Sequence, residues 1–259
     1  MHDCFNLRFN IQKSGWDTPE DPALFAGMFS ERPEKIRACL QGYADINRQA
    51  LEEIAAGLDL PALAARCAGE TLLLMGDSIT SDRLSYGKIA ALALPGRVID
   101  GAISGSRSVN VAADLPRCLA AHRPTLVSVM IGTNDAVFRD KACTATAVSL
   151  QEFRRNLTAI AEQVHQGRAR LVLHAVPPAF YARFTQCSPY YAVTEEANAQ
   201  FAACVHCVAA QTGAVYHDTR PLFRGRPPEQ LFEPDGIHLS PLAQKLVARS
   251  FLQLLTTII

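Results

Sequence analysis

Thr71-Leu72-Leu73-Leu74-Met75-Gly76-Asp77-Ser78-Ile79-Thr80 is the stretch on which the reading of this chain turns. Leu72–Met75 is apolar at every position, as in a strand covered on both faces, and after Gly76 the pattern changes to that of a helix. The same texture repeats toward the C-terminus. Strand-like runs occupy Leu72–Met75, Arg97–Ile99, Leu126–Ile131, Arg170–Val176 and Ala214–Tyr216. Helical patterns lie between and after them, near 81–93, 108–121, 146–166, 191–211 and 240–256. Doubly apolar strands separated by helices predict an α/β fold, a parallel sheet with helices on both faces. Such sheets bind ligands beyond the carboxyl ends of their strands, so the loops after Met75, Ile99, Ile131, Val176 and Tyr216 are where chemistry is expected.

Those loops carry reactive side chains. Ser78 sits at a strand-to-helix turn, where first-turn N–H groups and the helix dipole suit a developing negative charge, although a serine or Thr80 there also serves as a plain N-cap. Asp100-Gly101-Ala102-Ile103-Ser104-Gly105-Ser106 lets backbone approach a ligand closely. In Gly132-Thr133-Asn134-Asp135 the Asn134 amide either donates into a site shared with Ser78 or holds a turn. In Glu233-Pro234-Asp235-Gly236-Ile237-His238, Asp235 and His238 are spaced for one tight turn to present both, the carboxylate orienting the imidazole. A simple Asp turn beside a half-buried histidine is the plainer alternative.

Other residues are candidates of a lesser kind. Arg107 either meets an anionic substrate group or is solvated at a helix start. The aromatic stretch 180–191, with Phe180, Tyr181 and Phe184, leaves the sheet at the same edge as a pocket wall or lid, or packs on the surface. His174 reads as a satisfied core histidine, and His217-Asp218 as support for the last loop.

Taken together, Gly76-Asp77-Ser78-Ile79, Ile103-Ser104-Gly105, Gly132-Thr133-Asn134-Asp135 and Asp235-Gly236-Ile237-His238 resemble, in order and composition, the motifs of the SGNH (GDSL-type) hydrolases. The resemblance covers 71–259. It implies a flavodoxin-like three-layer α/β/α sandwich with a five-stranded parallel sheet. It also implies Ser78 as nucleophile, His238 as base and Asp235 as its orienting partner. The oxyanion hole would be the Ser78 and Gly105 N–H groups with the Asn134 side chain. Asp100-Gly101 departs from the Asn-x-Gly of many members, which touches loop support more than chemistry. The expected activity is that of a serine esterase on an acyl ester, acetyl or short-chain, of a small molecule or carbohydrate, with no metal or other cofactor. Acyl transfer on the same scaffold, or a non-catalytic interaction module that keeps the fold, are the alternatives.

Residues 1–70 lie outside that resemblance and form an N-terminal extension. Phe5, Leu7, Phe9 and Ile11 alternate with Asn6, Arg8 and Asn10, which predicts a half-buried edge strand. Pro33 opens an amphipathic helix with Ile36, Leu40, Tyr43, Asn47, Ala50 and Ile54 on one side, and a shorter helix follows near Pro61–Ala68. Its apolar side must be covered, by the same domain or by a second copy, so a monomer or a homodimer through the extension is expected.

Of the 259 residues, 49% are hydrophobic, and 25 Lys+Arg balance 25 Asp+Glu. A chain this apolar supports a real core, and the absence of a basic excess disfavours a nucleic-acid partner. No apolar run is long enough to span a bilayer. The N-terminal residues lack a secretory pattern, and the eight scattered cysteines read as mostly buried thiols of a cytoplasmic protein. Cys204-Val-His-Cys207 falls inside a helical pattern and reads as packing rather than metal or redox chemistry.

Overall fold

Five strands and the helices between them occupy the order that the alternating runs predict. The computed structural model describes residues 7–9, 21–94 and 97–259. Three helices precede the sheet: α1 (Pro22–Phe29), α2 (Pro33–Ala55) and α3 (Leu60–Arg66). Each carries proline in its first turn, where the missing N–H costs nothing. Then follow β1 (Thr71–Gly76), α4 (Ser78–Ser81), α5 (Tyr86–Ala93), β2 (Arg97–Asp100), α6 (Ser108–His122), β3 (Leu126–Met130), α7 (Leu150–Gln166) and β4 (Arg170–His174). The chain ends with α8 (Tyr181–Cys187), α9 (Glu195–Thr212), β5 (Val215–His217), α10 (Pro228–Leu231) and α11 (Pro241–Ile258).

All strand pairs are parallel, in the order β2-β1-β3-β4-β5. The unbroken apolar run in β1 is explained by its two faces. Leu72 and Leu74 pack with Ile89, Val247 and Phe251 on the α5/α11 side, whereas Leu73 and Met75 pack with Leu115, Phe153 and Leu157 on the α6/α7 side. Strand order reverses direction between β1 and β3, the position where this kind of sheet opens a crevice at its carboxyl edge. The loops after β1, β2 and β3 all converge there.

Several boundaries moved. The helix expected near 81–93 is two helices, because Asp82 turns the chain and the Ser85 hydroxyl caps α5 by accepting the Lys88 N–H at 3.2 Å. Helices α7 and α9 begin four residues later than their apolar periodicity, at the caps Ser149 and Thr194.

The edge strand at 5–11 needs correction where it is described. Leu7 and Arg8 lie in a short 3-10 turn that ends at Phe9, and the remainder of the stretch lies outside the described residues. Alternation misled because Arg8, assigned to the solvent side, is only 5% exposed and is buried by ion pairing. The extension packs on the sandwich: Ala50, Ile54 and Leu63 share one apolar cluster with β1 and α11, and Leu7, Phe25, Ala26 and Ile36 form a satellite core. Among the described residues no helix is long and apolar enough to cross a membrane.

Candidate active site

The turn that carries Ser78 is built by the residues around it. Gly76 ends β1 where a Cβ would stand 2.4 Å from the Met130 carbonyl oxygen and 2.5 Å from Thr80 Oγ1, so no larger residue fits between β3 and the turn. Asp77 caps the next turn, its Oδ1 accepting the Ile79 N–H at 2.9 Å. Ser78 is thereby placed at the first position of α4, at the carboxyl end of β1.

The loop between α10 and α11 brings Asp235 and His238 to the same place. Asp235 Oδ1 accepts the Ile237 and His238 N–H groups, both at 3.0 Å, which folds the segment into a tight turn. Asp235 Oδ2 is left to face His238 Nδ1 at 2.5 Å. His238 Nε2 lies 2.9 Å from Ser78 Oγ. Burial raises the proton affinity of Asp235, but the hydrogen bond and charge of His238, with the two backbone donors, outweigh it and hold the carboxyl below its ordinary range. The carboxylate is therefore charged at neutral pH and favours the tautomer with hydrogen on Nδ1, leaving Nε2 an acceptor for the serine proton.

The loops after β2 and β3 close the other side. Gly105 adopts a φ of 77°, in the left-handed region that glycine tolerates, at a turn closed by the Ser106 N–H on the Ile103 carbonyl at 3.1 Å. The Asn134 amide donates to the Ser106 carbonyl at 3.0 Å and more weakly to Asp77 Oδ2 at 3.4 Å. Asp135, fully buried, accepts the Ser108 N–H at 3.0 Å and the Ser108 hydroxyl at 2.5 Å, tying the start of α6 to the β3 loop. Burial pushes the Asp135 carboxyl up, against those hydrogen bonds. Burial likewise pushes Asp77 up to about 7, opposed mainly by the Ile79 N–H.

A half-open cavity of about 370 Å³ lies at this junction, lined in part by Ser78, Gly105, Arg107, Asn134, Phe184 and His238. Two of the predicted aromatic wall residues lie elsewhere. The stretch 180–191 contains α8, which carries Phe184 into the cavity. Tyr181 turns away and donates its hydroxyl to Asn198 Oδ1 at 3.3 Å. Phe180 lines a separate cavity of about 560 Å³ behind the Asp235–His238 loop, and its N–H holds the Gly236 carbonyl at 2.7 Å. Both therefore support the wall. Tyr191, at the end of the predicted aromatic stretch, and Thr133, in the Gly132–Asp135 motif, also line the cavity, as does Val137, which had not been singled out. Phe9 also escaped sequence reading, although its ring centroid lies 4.3 Å from that of His238.

Two further histidines, His174 and His217, form a buried chain. Ser128 Oγ meets His174 Nε2 at 2.6 Å, His174 Nδ1 meets His217 Nδ1 at 2.8 Å, and His217 Nε2 meets Ser250 Oγ at 2.8 Å. His174 is the satisfied core histidine expected, but His217 bonds β4 and α11 rather than bracing the last loop. Burial drives both histidines toward the neutral form, His217 down to about 4 against the pull of Asp218, and His174 well below its ordinary value with a further push from His217. Cys204 is buried in α9 and Cys207 is exposed, both as free thiols. Cys39 is disulfide-bonded, which the expectation of reduced thiols in a cytoplasmic protein did not foresee. Among the described residues no cluster of three His, Cys, Asp or Glu could hold a metal ion.

The sequence profile of the GDSL-like lipase/acylhydrolase family matches residues 74–246. Esterase TesA of Pseudomonas aeruginosa is 28% identical over 141 residues, which is 50% of this chain and 66%, slightly under two thirds, of the esterase. An acetylxylan esterase from Geobacillus stearothermophilus superposes with a TM-score of 0.59 at 23% identity, over 73% of this chain and 94% of the other. A lipase/acylhydrolase from Enterococcus faecalis gives a TM-score of 0.60 at 19% identity, over 73% and 96% of the two chains.

Proposed function

Because this chain belongs to the GDSL-like lipase/acylhydrolase family, we propose that it is a serine esterase that removes an acetyl or other short acyl group from a small molecule or carbohydrate. The observation that carries the reading is the continuous line from Asp235 through His238 to Ser78 Oγ, with both hydrogen bonds in place. His238 Nε2 takes the hydroxyl proton as Oγ attacks the ester carbonyl, and returns it to the departing alcohol as the acyl-enzyme forms. Water, deprotonated by the same nitrogen, then releases the acid and regenerates Ser78.

The tetrahedral oxyanion is received by the Ser78 and Gly105 N–H groups and the Asn134 amide. One Asn134 hydrogen, held by the Ser106 carbonyl at 3.0 Å, fixes the amide plane, and the other, only weakly engaged with Asp77, serves the oxyanion. The triad supplies both attack and proton transfer, so the reaction as written uses no metal or organic cofactor. A cavity of about 370 Å³ is at the small end for ligand sites and suits a short acyl group. The acetylxylan esterase named among the structural neighbours gives carbohydrate acetate a place among the candidate substrates.

The test is a panel of p-nitrophenyl esters of increasing chain length together with acetylated xylo-oligosaccharides, run on the wild type and Ser78→Ala. Turnover should be highest for acetyl or propionyl esters and vanish in Ser78→Ala. Rising turnover with chain length would remove the short-acyl assignment, and a fully active Ser78→Ala would remove the triad.

A further inference from the structure

We propose that the N-terminal turn Leu7–Phe9 is a positioning part of the active site, with Arg8 holding the Asp235–His238 loop against the nucleophile turn and Phe9 holding the imidazole by its face. The inference rests on the triad assigned above.

One guanidinium joins the two halves of that triad. Arg8 Nε and Nη2 grip the Asp82 carboxylate at 3.1 and 2.5 Å. Asp82 stands four residues beyond Ser78, and its N–H closes α4 on the Ser78 carbonyl at 3.1 Å. The same guanidinium pairs through Nη1 with Glu233 and donates from Nη2 to the Leu239 carbonyl at 3.1 Å. Residues 233 and 239 bracket Asp235 and His238. Their loop is closed at its base by the Glu233 N–H on the His238 carbonyl and the Gly236 N–H on the Glu233 carbonyl, both 2.8 Å, and by a bridge between Phe232 and Leu239. Arg8 thus connects a closed loop carrying the base to the turn carrying the nucleophile. Its planar fork sets their separation in a way a point charge does not.

Phe9, the next residue, places its ring against His238 with an interplanar angle of 39°. A ring on that face limits rotation about the side-chain bonds that would carry Nε2 away from Ser78. The turn itself is fastened from behind. The Arg83 N–H donates to the Arg8 carbonyl at 2.8 Å, the Arg83 guanidinium reaches the Leu7 carbonyl, and Leu7 is buried with Phe25 and Ile36 of α1 and α2. The helices of the extension are therefore the foundation of a contact that ends on the catalytic imidazole.

The experiment compares wild type with Arg8→Lys, Arg8→Met, Phe9→Leu and the double variant Arg8→Met/Glu233→Gln. All are assayed on p-nitrophenyl acetate well below their melting temperatures. Misplacement of a reacting group by an ångström costs on the order of a hundredfold in rate, so Arg8→Met should lose about that factor in kcat and Phe9→Leu and Arg8→Lys about tenfold, with KM within roughly twofold. Adding Glu233→Gln to Arg8→Met should cost little more, because the arginine acts through that carboxylate. A lowered Tm with kcat unchanged in Arg8→Lys and Phe9→Leu would overturn the proposal and leave a purely structural clasp. Phe9→Leu keeps every Arg8 hydrogen bond, so it decides the matter if Arg8→Met does not fold. Proton NMR tests the contact independently of activity. The His238 ring protons should move downfield in Phe9→Leu as the ring-current shielding is lost, and an unmoved resonance would refute the stacking. A wild type inactive on every ester, with that shift present, would instead fault the proposed esterase activity.

Discussion

Asp235→Asn is the substitution that separates orientation from architecture most cleanly. Asp235 uses Oδ1 to accept two backbone N–H groups at 3.0 Å and Oδ2 to accept from His238 Nδ1 at 2.5 Å. Asparagine can place its carbonyl oxygen where Oδ1 stands and so preserve the turn. Its NH2 then faces Nδ1, which must become an acceptor, and the imidazole proton moves to Nε2. That nitrogen can no longer take the proton of Ser78, 2.9 Å away. In a serine triad this wrong tautomer costs about 10⁴ in kcat, or about 5.5 kcal/mol of barrier. Stability should change little, because both backbone hydrogen bonds survive and the carboxylate is partly solvated. The assay is kcat on p-nitrophenyl acetate beside a thermal melt. Asp235→Ala, which also frees the turn donors, should lower Tm further than Asp235→Asn without being more active. More than a tenth of wild-type kcat retained in a folded Asp235→Asn would refute the argument, because Asp235 would then not be setting the tautomer.

Removal of the Asn134 amide by Asn134→Ala should cost about 10²–10³ in kcat with KM nearly unchanged, read from steady-state kinetics, since its donor matters only once the oxyanion forms. Gly76→Ala drives a methyl against the Met130 carbonyl and Thr80 within 2.5 Å, and the resulting overpacking should lower stability by about 3 kcal/mol in urea unfolding. His217 is held neutral down to about 4 in the fold against an ordinary 6.5, so the unfolded chain takes up its proton first as pH falls. Stability from this group is thus present above about pH 6.5 and is lost toward pH 4. Between pH 7 and 5 the loss is about 2 kcal/mol, and His217→Gln should abolish it in urea titrations at the two pH values. Asp77, pushed up to about 7, works in the opposite sense, retaining its proton where the unfolded carboxylate has lost it, so Asp77→Asn should steepen the acid-side loss.

The parts of the fold that were legible share a cause. A strand buried on both faces has no freedom to be polar, so the β1 run announces itself, and the glycine that ends it is forced by the Met130 carbonyl. Caps such as Ser149 and Thr194 are weaker signals than apolar periodicity, which is why α7 and α9 began later than their hydrophobic pattern. The α8 helix was hidden because none of its residues is buried, so it leaves no apolar stripe to read. His217 was misplaced for a different reason. Its partners, His174 and Ser250, are 43 and 33 residues away and neither is hydrophobic, so no periodicity links them.

The site divides along the same line. Ser78, Asp235 and His238 each lie within a few residues of the backbone that orients them, as Asp235 does when it binds the N–H groups at 237 and 238, whereas Asn134 is held by the Ser106 carbonyl 28 positions away. Short-range geometry of this kind survives as a motif. Arg8 does the opposite, reaching Asp82 across 74 positions and Glu233 across 225. Nothing local constrains where an arginine with distant partners sits in the sequence, and alternation with Leu7 and Phe9 disguised it as a solvent-facing residue. The chemistry is thus readable where a turn builds it. The clasp that we propose keeps His238 Nε2 2.9 Å from Ser78 Oγ is one that only the folded chain reveals.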